Sequence, residues 1–378
     1  MRLTICALCL PFVMRIAESG DSRYVSLMDL DTTSIPELTA EELRQLYKLL
    51  ISTRELDLAA VAWQRQGILP GYAPELGQEA AQVGSAFALD TSRDFAFPTY
   101  REMGVALTLG VDMVEYMSTH KASWHGGLYN PVTTRLAPIQ AVVGGSVLHA
   151  VGWAHGQRLG AADVVRSEDE TGGLPAAITY FGDGASSQGD VHEAMNFAGV
   201  LKAPVVFFVQ NNGWAISLPT EEQVAGGTVA ARAAGYGMAA VTVDGNDAPA
   251  VVRATRAALK HARSGNGPVL IEAMTYRRGP HSTSDDPGRY RTLDEERRDG
   301  GEDPVARLAH LLLESGAADQ AFLDNAGAEA KAHTETVREG VQALKPRPGQ
   351  EMFDYVFAEP TDALKAQARA WREESEHV

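Results

Sequence analysis

Two short polar motifs carry the side chains best suited to chemistry. A Gly-Asp-Gly motif occupies positions 182–184, and an Asn-Asn-Gly motif occupies positions 211–213. Asp183 and Asn212 offer hard oxygen ligands, which suit Mg²⁺ or Ca²⁺ better than Zn²⁺. Glycine beside such ligands lets the backbone approach an anionic group and adopt unusual dihedral angles. Because protein-bound Mg²⁺ usually also contacts substrate phosphates, the motifs predict a diphosphate held through a divalent cation.

The segments around these motifs predict how they are brought together. Apolar runs at Ala176–Phe181 and Pro204–Val209 are typical of buried strands, and Asp190–Leu201 between them has one apolar helical face. Such a strand, helix and strand form a parallel βαβ unit, whose ligands bind at the carboxyl ends of the strands. A lone Gly-Asp-Gly motif is often only a tight turn, but the asparagine pair after the second strand counts against that alternative.

Two further loops contain candidate site residues. Tyr100 and Arg101 lie in one of them, and arginine is the preferred side chain for gripping phosphate oxygens. His281 lies in a polar loop after a predicted strand at Pro268–Thr275, where an imidazole is placed to give or accept a proton. From the sequence alone, an ordinary loop residue is the alternative in both cases.

Five longer motifs point to one enzyme family. They are GQEAAQVGSAFAL (77–89), PTYREMG (98–104), NNGWAIS (211–217), VDGND (243–247) and LIEAMTYRRGPHSTSDD (270–286). With the Gly-Asp-Gly motif, they resemble the α subunit of branched-chain 2-oxo acid dehydrogenase, a thiamine-diphosphate-dependent enzyme, from near Leu38 to the C-terminus. Pyruvate and acetoin dehydrogenase α subunits share the outline, while the run HSTSDD (281–286) favours the branched-chain type.

The resemblance implies the cofactors and the residues that bind them. Thiamine diphosphate and magnesium would bind here, with the metal held by the side chains of Asp183 and Asn212 and by the backbone carbonyl of Trp214. His281 would lie beside the cofactor and assist acyl transfer. Ser282 matches a position that is phosphorylated in animal relatives. The residues expected to contact the diphosphate are Tyr100, Arg101, Gly182, Gly184 and Ala185.

One departure from the family concerns a second ion. Ser146 and Leu148 stand where relatives often have glutamine and proline in a segment that helps to bind potassium. This difference weakens the case for a potassium site.

The reaction and the partners also follow from the resemblance. The reaction would be oxidative decarboxylation of a branched-chain 2-oxo acid, with transfer of the acyl group to a lipoyl group on an acyltransferase partner. The chain carries the half-site for the diphosphate and metal, so a β subunit would supply the other half in an α2β2 heterotetramer.

The implied fold is α/β, with a doubly wound, mostly parallel sheet of the thiamine-diphosphate-binding type, an N-terminal helix and a C-terminal helical region. We expect an N-terminal extension over residues 1–37, the cofactor-binding domain over 38–300, and C-terminal helices with a partner-docking tail over 301–378.

Composition limits the remaining classes of protein. The 378 residues carry a formal net charge of −16, which argues against nucleic acid and anionic membrane surfaces as partners. The two cysteines, Cys6 and Cys9, have no second pair to complete a zinc site, and the lack of a disulfide framework is consistent with a reducing compartment. We therefore expect a cytoplasmic location.

The N-terminal segment permits more than one interpretation. Leu3–Met14 is apolar but too short to span a bilayer, and no Ala-x-Ala cleavage motif follows it. We expect an unstructured extension or a true start at Met28; a signal or organelle-targeting peptide is the alternative.

A non-catalytic binding protein is the alternative from a different functional class. A regulator that binds a nucleotide or a diphosphate could use the same sheet. The sequence lacks G-x-G-x-x-G after a first strand and lacks G-x-x-x-x-G-K-[ST], which argues against a dinucleotide-binding protein and a P-loop protein.

Overall fold

The computed structural model describes residue 30 and residues 32–124, 126–162 and 173–375. Most of the predicted N-terminal extension, including Cys6, Cys9 and Met28, lies outside these residues. Within them, no helix has both the length and the apolar character needed to cross a lipid bilayer.

The strands form one large sheet and one small ribbon. A five-stranded sheet has the order β1-β2-β3-β7-β6, with every neighbouring pair parallel, and β4 and β5 form an antiparallel pair. The mostly parallel α/β sheet predicted from the sequence is confirmed. In chain order the strands are β1 (Phe95–Phe97), β2 (Ala177–Gly182), β3 (Val205–Asn211), β4 (Trp214–Ala215), β5 (Leu218–Pro219), β6 (Ala239–Asp244) and β7 (Val269–Met274).

Helices surround the sheet and extend beyond it at both ends of the chain. Thr39 caps the first helix in a capping box with Glu42. The helices are α1 (Ala40–Arg65), α2 (Glu79–Phe87), α3 (Met103–Thr108), α4 (Met113–Met117), α5 (Pro131–Thr134), α6 (Gly145–Ala162), α7 (Gly189–Leu201), α8 (Thr220–Gln223), α9 (Ala248–Arg263), α10 (Leu293–Asp299), α11 (Pro304–Glu314), α12 (Gln320–Ala343), α13 (Glu351–Asp354) and α14 (Asp362–Ser375).

Alternate residues of the central strands face two separate apolar cores. Tyr180 of β2 lies in one core with Val251 of α9. Its neighbour Phe181 lies in the other core with Val147 of α6 and Val191 of α7. Helices therefore cover both faces of the sheet, and this explains why its strands are uniformly apolar rather than alternating.

The register of the sheet brings the polar motifs to one edge. Gly182 at the end of β2 pairs with Gln210 of β3, and Asn211 at the end of β3 pairs with Met274 of β7. The loops that follow these three strands, together with the loop after β1, therefore emerge side by side at the carboxyl edge, where open parallel sheets place their ligands.

Candidate functional site

A cleft of about 250 Å³ opens at the carboxyl edge of the sheet. It is lined by the loops after β1, β2, β3 and β7, so segments far apart in sequence share one space. All the site residues predicted from the sequence line it: Tyr100, Arg101, Gly182, Asp183, Gly184, Ala185, Asn212, Trp214 and His281.

Asp183 is a buried carboxylate in this cleft. The residue is 1% exposed, and burial raises the pKa of its carboxyl group. Its Oδ2 accepts a hydrogen bond from Thr220 Oγ1 at 2.6 Å, yet no Lys, Arg or His forms an ion pair with it in the part of the chain that the structure describes. A buried charge without a counter-ion is costly, so a cation bound here would stabilise the ionised form.

Neutral oxygens accompany this carboxylate. Asn212 Oδ1 accepts from the Trp214 backbone N–H at 3.2 Å, and Asn212 Nδ2 donates to Gln78 Oε1 at 3.1 Å, which fixes the amide orientation. The Trp214 carbonyl lies 3.5 Å from Arg277 Nη1. No group of three or more His, Cys, Asp or Glu residues that could hold a metal occurs among the described residues. The donor set of one carboxylate, one amide and one carbonyl suits Mg²⁺, which retains waters or phosphate oxygens as further ligands.

The two glycines of the first motif act differently from the prediction. Neither has a positive φ, and Gly184 has φ −60° and ψ −42°, so the expected unusual dihedral angles are wrong for this motif, whereas Gly213 of the second motif has φ +84°. A Cβ on Gly184 would lie 2.6 Å from Cβ of Ala215, so glycine is required there for the approach of β4. A Cβ on Gly182 would meet only the Gln210 carbonyl oxygen, at 3.9 Å, and would otherwise fill open space in the cleft. This space fits the close approach of a ligand to the backbone.

Arg101 is buried, so the alternative of a stray surface arginine is wrong. Its Nη2 donates to the His281 carbonyl oxygen at 2.6 Å, and its Nη1 donates to the Pro74 carbonyl oxygen. The guanidinium also stacks near the Tyr100 ring, 5.6 Å from the ring centroid. These contacts hold a permanent positive charge at the wall of the cleft, as binding of a phosphate requires.

His281 is neutral at physiological pH in this environment. Burial, together with the positive charges of Arg101 and Arg277, lowers the pKa of His281 to about 4. Nδ1 lies 3.2 Å from Arg101 Nη2. Since a guanidinium can only donate, Nδ1 must accept, and the ring proton is therefore on Nε2. The backbone N–H donates to Asp285 Oδ2 at 2.8 Å, which anchors the loop. His281 can thus donate a hydrogen bond from Nε2–H within the cleft.

The cleft also contains polar residues that are not among the predicted site residues. Glu102 accepts at Oε2 from the backbone and side chain of Thr99 and at Oε1 from Gln210 Nε2. Gln78 Nε2 and Gln210 Oε1 are buried and have no hydrogen-bond partner among the described residues. Gln78 lies inside the 77–89 motif and Gln210 directly precedes the Asn-Asn-Gly motif, and this is the signal that could have found them. Each of these two atoms thus needs a hydrogen-bond partner that the described residues do not supply.

Comparison with known proteins gives close relatives over most of the chain. It is 43% identical over 364 residues to a protein named 3-methyl-2-oxobutanoate dehydrogenase subunit alpha from Mycobacterium tuberculosis (strain CDC 1551 / Oshkosh), covering 94% of this chain and 95% of the relative. It is 37% identical over 326 residues to a pyruvate dehydrogenase E1 component subunit alpha from Bacillus cereus, covering 86% and 84%. A protein of the same name from Staphylococcus aureus (strain Mu50 / ATCC 700699) is 39% identical over 283 residues, covering 75% and 73%.

The family assignment agrees with the arrangement of the cleft. Residues 47–349 match the family model of the dehydrogenase E1 component, and this range contains every residue predicted to form the site. The chain therefore belongs to the dehydrogenase E1 component family.

Proposed function

We propose that the chain is the α subunit of the decarboxylating component of a branched-chain 2-oxo acid dehydrogenase and that it binds thiamine diphosphate with magnesium. The observation that carries the cofactor proposal is the buried carboxylate of Asp183, which lacks an ion-pair partner among the described residues and shares a cleft with the buried Arg101. One wall therefore favours a divalent cation and the other favours phosphate oxygens.

Each group in the cleft has a proposed role. Asp183, Asn212 and the Trp214 carbonyl would hold Mg²⁺, and Tyr100 and Arg101 would hold the diphosphate. The space above Gly182 and beside Gly184 and Ala185 would admit the diphosphate close to the backbone. When bound, thiamine diphosphate supplies the carbanion chemistry that removes CO₂ from a 2-oxo acid. His281 would donate a hydrogen bond from its Nε2–H during acyl transfer to the lipoyl group.

The relatives support a branched-chain substrate. The most extensive of the three alignments is with a protein named for 3-methyl-2-oxobutanoate, and the HSTSDD run favours the same type. The relatives at 37% and 39% identity are named for pyruvate, so pyruvate is the second candidate. Acetoin is the third candidate substrate, and the assay described below compares all three.

A β subunit would complete the site in an α2β2 heterotetramer. Two carboxylates, Asp183 and Glu102, line the cleft in the described part of the chain. Asp183 accepts a hydrogen bond from Thr220, and Glu102 accepts from Thr99 and Gln210, so both are already engaged within this chain. Val143 and Ile216 line the cleft and are exposed. Exposed apolar residues at the mouth of a polar cleft are typical of a surface that a partner covers.

The remaining proposals concern the organisation of the chain. We propose the cofactor-binding domain over residues 38–300 and the partner-docking tail within residues 301–378. Met352, Tyr355, Val356 and Phe357 of that tail are exposed, which supports docking on a partner chain. A lipoyl-bearing acyltransferase as the second partner and a cytoplasmic location remain predictions.

The decisive experiment is to co-express the chain with a β-type subunit and measure decarboxylation of 3-methyl-2-oxobutanoate and of pyruvate, and cleavage of acetoin, which has no carboxyl group. The assay is run with and without thiamine diphosphate and Mg²⁺. We expect cofactor-dependent turnover that is fastest on the branched substrate. Fastest turnover on pyruvate would move the substrate and retain the cofactor proposal.

The metal assignment has its own test, which does not need turnover. Asp183→Ala should abolish Mg²⁺-dependent binding of thiamine diphosphate, measured by calorimetry, while far-UV circular dichroism remains unchanged. Asp362→Ala, which removes an exposed carboxylate on α14, is the matched control. Undiminished binding by the Asp183 variant would remove Asp183 from the metal site.

A further inference from the structure

Glu272 is a buried carboxylate in an otherwise apolar strand. It is the one charged residue of β7, whose sequence is VLIEAM, and it is completely buried. Leu270, two residues earlier on the same face of the sheet, lies in the apolar core under α6 and α7. An apolar residue would fill position 272 at a lower desolvation cost, so the contacts of the carboxylate must account for its presence.

Three N–H groups donate to this carboxylate. Oε1 accepts from Asn211 Nδ2 at 2.9 Å and from the Val229 backbone N–H at 3.1 Å, and Oε2 accepts from the Ala230 backbone N–H at 2.8 Å. The carboxylate thus joins the end of β3 to the start of a 3₁₀ helix at Ala230–Tyr236.

The contact with Glu272 fixes the direction of the Asn211 amide. Because Nδ2 donates to Glu272, Oδ1 lies on the other side of the amide, where it accepts from the Gly213 backbone N–H at 3.2 Å. Thr220 Oγ1 lies 3.2 Å from the same Oδ1 and donates to Asp183 Oδ2 at 2.6 Å. A flipped amide would place N–H donors against the Gly213 N–H, so the turn after β3 depends on this one orientation.

The turn at Gly213 lies between two proposed metal ligands. Asn212 precedes it and Trp214 follows it, and Gly213 itself has φ +84°. The hydrogen bond from its N–H to the Asn211 side chain, two residues earlier, stabilises this turn. Mg²⁺ demands near-ideal octahedral geometry with ligands at about 2.0–2.1 Å. A small shift of the turn would therefore move both ligand oxygens relative to Asp183.

We propose that Glu272 and Asn211 are positioning residues for the metal site, and this inference rests on the proposed function. Neither side chain lines the cleft, so each acts through its neighbours. Glu272 fixes the Asn211 amide, and Asn211 fixes the turn that carries two of the three metal ligands. A purely structural role for Glu272 would be to anchor the 3₁₀ helix through Val229 and Ala230.

The two side chains can exchange donor and acceptor without a change in net charge. Asn211→Asp removes the Nδ2 donor and opposes two carboxylates, so we expect the Mg²⁺-dependent affinity for thiamine diphosphate to fall about ten-fold or more. Asn211→Asp combined with Glu272→Gln returns an N–H donor to this contact, with the roles reversed, and we expect most of the affinity to return. Calorimetric titration of the α–β complex measures both effects.

Glu272→Gln alone completes the double-mutant cycle. It accounts for the acceptor that Val229 or Ala230 loses when the carboxylate becomes an amide. A positioning role predicts that the loss of affinity in the double variant is smaller than the two single losses combined.

The choice of cation separates positioning from general destabilisation. Each protein is titrated with the cofactor in the presence of Mg²⁺ and, separately, of Ca²⁺. Because Ca²⁺ accepts longer and more variable ligand distances, a displaced turn costs the Ca²⁺ complex less. We expect Asn211→Asp to lower the affinity more in Mg²⁺ than in Ca²⁺, whereas a destabilised fold would lower both alike.

A control and a second variant keep the test decisive. Asn196→Asp makes the same change at an exposed position of α7 and should leave the affinity unchanged with both cations. If the opposed carboxylates prevent Asn211→Asp from folding, Asn211→Ala removes the amide without adding a charge. It should likewise weaken binding more in Mg²⁺ than in Ca²⁺.

The outcomes separate this inference from the proposed function. A wild-type complex that binds no thiamine diphosphate with either cation would overturn the proposed function and this inference with it. If the wild type binds, three results would each overturn the positioning role alone: an unchanged affinity in the Asn211 variants, an equal loss with the two cations, or no recovery in the double variant.

Discussion

The guanidinium of Arg101 donates to the backbone carbonyl oxygen of His281 over 2.6 Å. The same Nη2 atom lies 3.2 Å from His281 Nδ1, and Nη1 donates to the Pro74 carbonyl oxygen. One buried cation thus joins the loop after β1, the loop after β7 and the segment before α2. It therefore fixes both the wall of the cleft and the tautomer of the histidine.

Arg101→Lys should weaken thiamine diphosphate binding by about ten-fold or more, because a lysine keeps the charge but cannot replace the planar fork of donors. Calorimetric titration of the α–β complex with the cofactor and Mg²⁺ measures the effect. Arg369→Lys makes the same change at an exposed position of α14 and should leave the affinity unchanged. Equal affinities for the Arg101 variant and the wild type would show that the fork is not used.

Thr220 positions the carboxylate of Asp183, since its Oγ1 donates to Oδ2 at 2.6 Å. Thr220→Val preserves the shape of the side chain but leaves a buried, charged acceptor without its donor. We expect Mg²⁺-dependent affinity for thiamine diphosphate to fall about ten-fold. Thr220→Ser restores the hydroxyl and should restore the affinity. If valine and serine behave alike, the hydrogen bond has no role in the site.

The central strands of the sheet could be predicted from the sequence because they are continuous apolar runs. β2, β3 and β7 each match a predicted run to within two residues at either end. Parallel strands are buried on both faces, so a continuous apolar run is a strong signal of a strand. The end of each run then shows that the polar motif after it lies at the carboxyl edge of the sheet. By contrast, β1 has three residues, which is too short for a periodic pattern to indicate a strand.

The contacts that tune the site could not be predicted, because they join residues whose separation in sequence carries no local signal. Thr220 reaches Asp183 from 37 residues away, and Pro74 reaches Arg101 from 27 residues away. The motif assigned the glycines at 182 and 184 to the site, but it did not give the physical reason why glycine is needed there. At Gly184, a Cβ would clash with Ala215, so packing requires glycine, whereas the backbone angles would permit any residue.

Gly184→Ala should therefore damage the site by overpacking. The added Cβ would lie 2.6 Å from Ala215 Cβ, so the chain at β4 must shift, at a cost of about 1–3 kcal/mol. We expect a lower melting temperature together with weaker thiamine diphosphate binding. Gly189→Ala, at the first residue of α7, meets no atom within 4 Å and is the matched control. A variant at 184 that melts and binds like the control would exclude this close contact.

His120 should make the stability of the fold depend on pH. Its ring packs 5.2 Å from the Tyr72 ring and 5.7 Å from the Tyr116 ring, and burial lowers the pKa of His120 to about 4. The unfolded chain has the higher pKa, near 6.5, so it binds the proton first as the pH falls. The contribution of the neutral ring is thus complete above pH 6.5 and is lost progressively down to pH 4.

His120→Phe keeps a ring between the tyrosines and removes this titration. Relative to the variant, the wild type should lose roughly 2–3 kcal/mol between pH 6.5 and pH 4, with the lower figure allowing for partial exposure of the residue. Midpoints of urea unfolding, measured for both proteins at several pH values, give the difference directly. Titrating groups far from residue 120 are common to both proteins, so their contributions cancel. Parallel pH profiles would show that His120 titrates normally and that its ring is solvated in the folded protein.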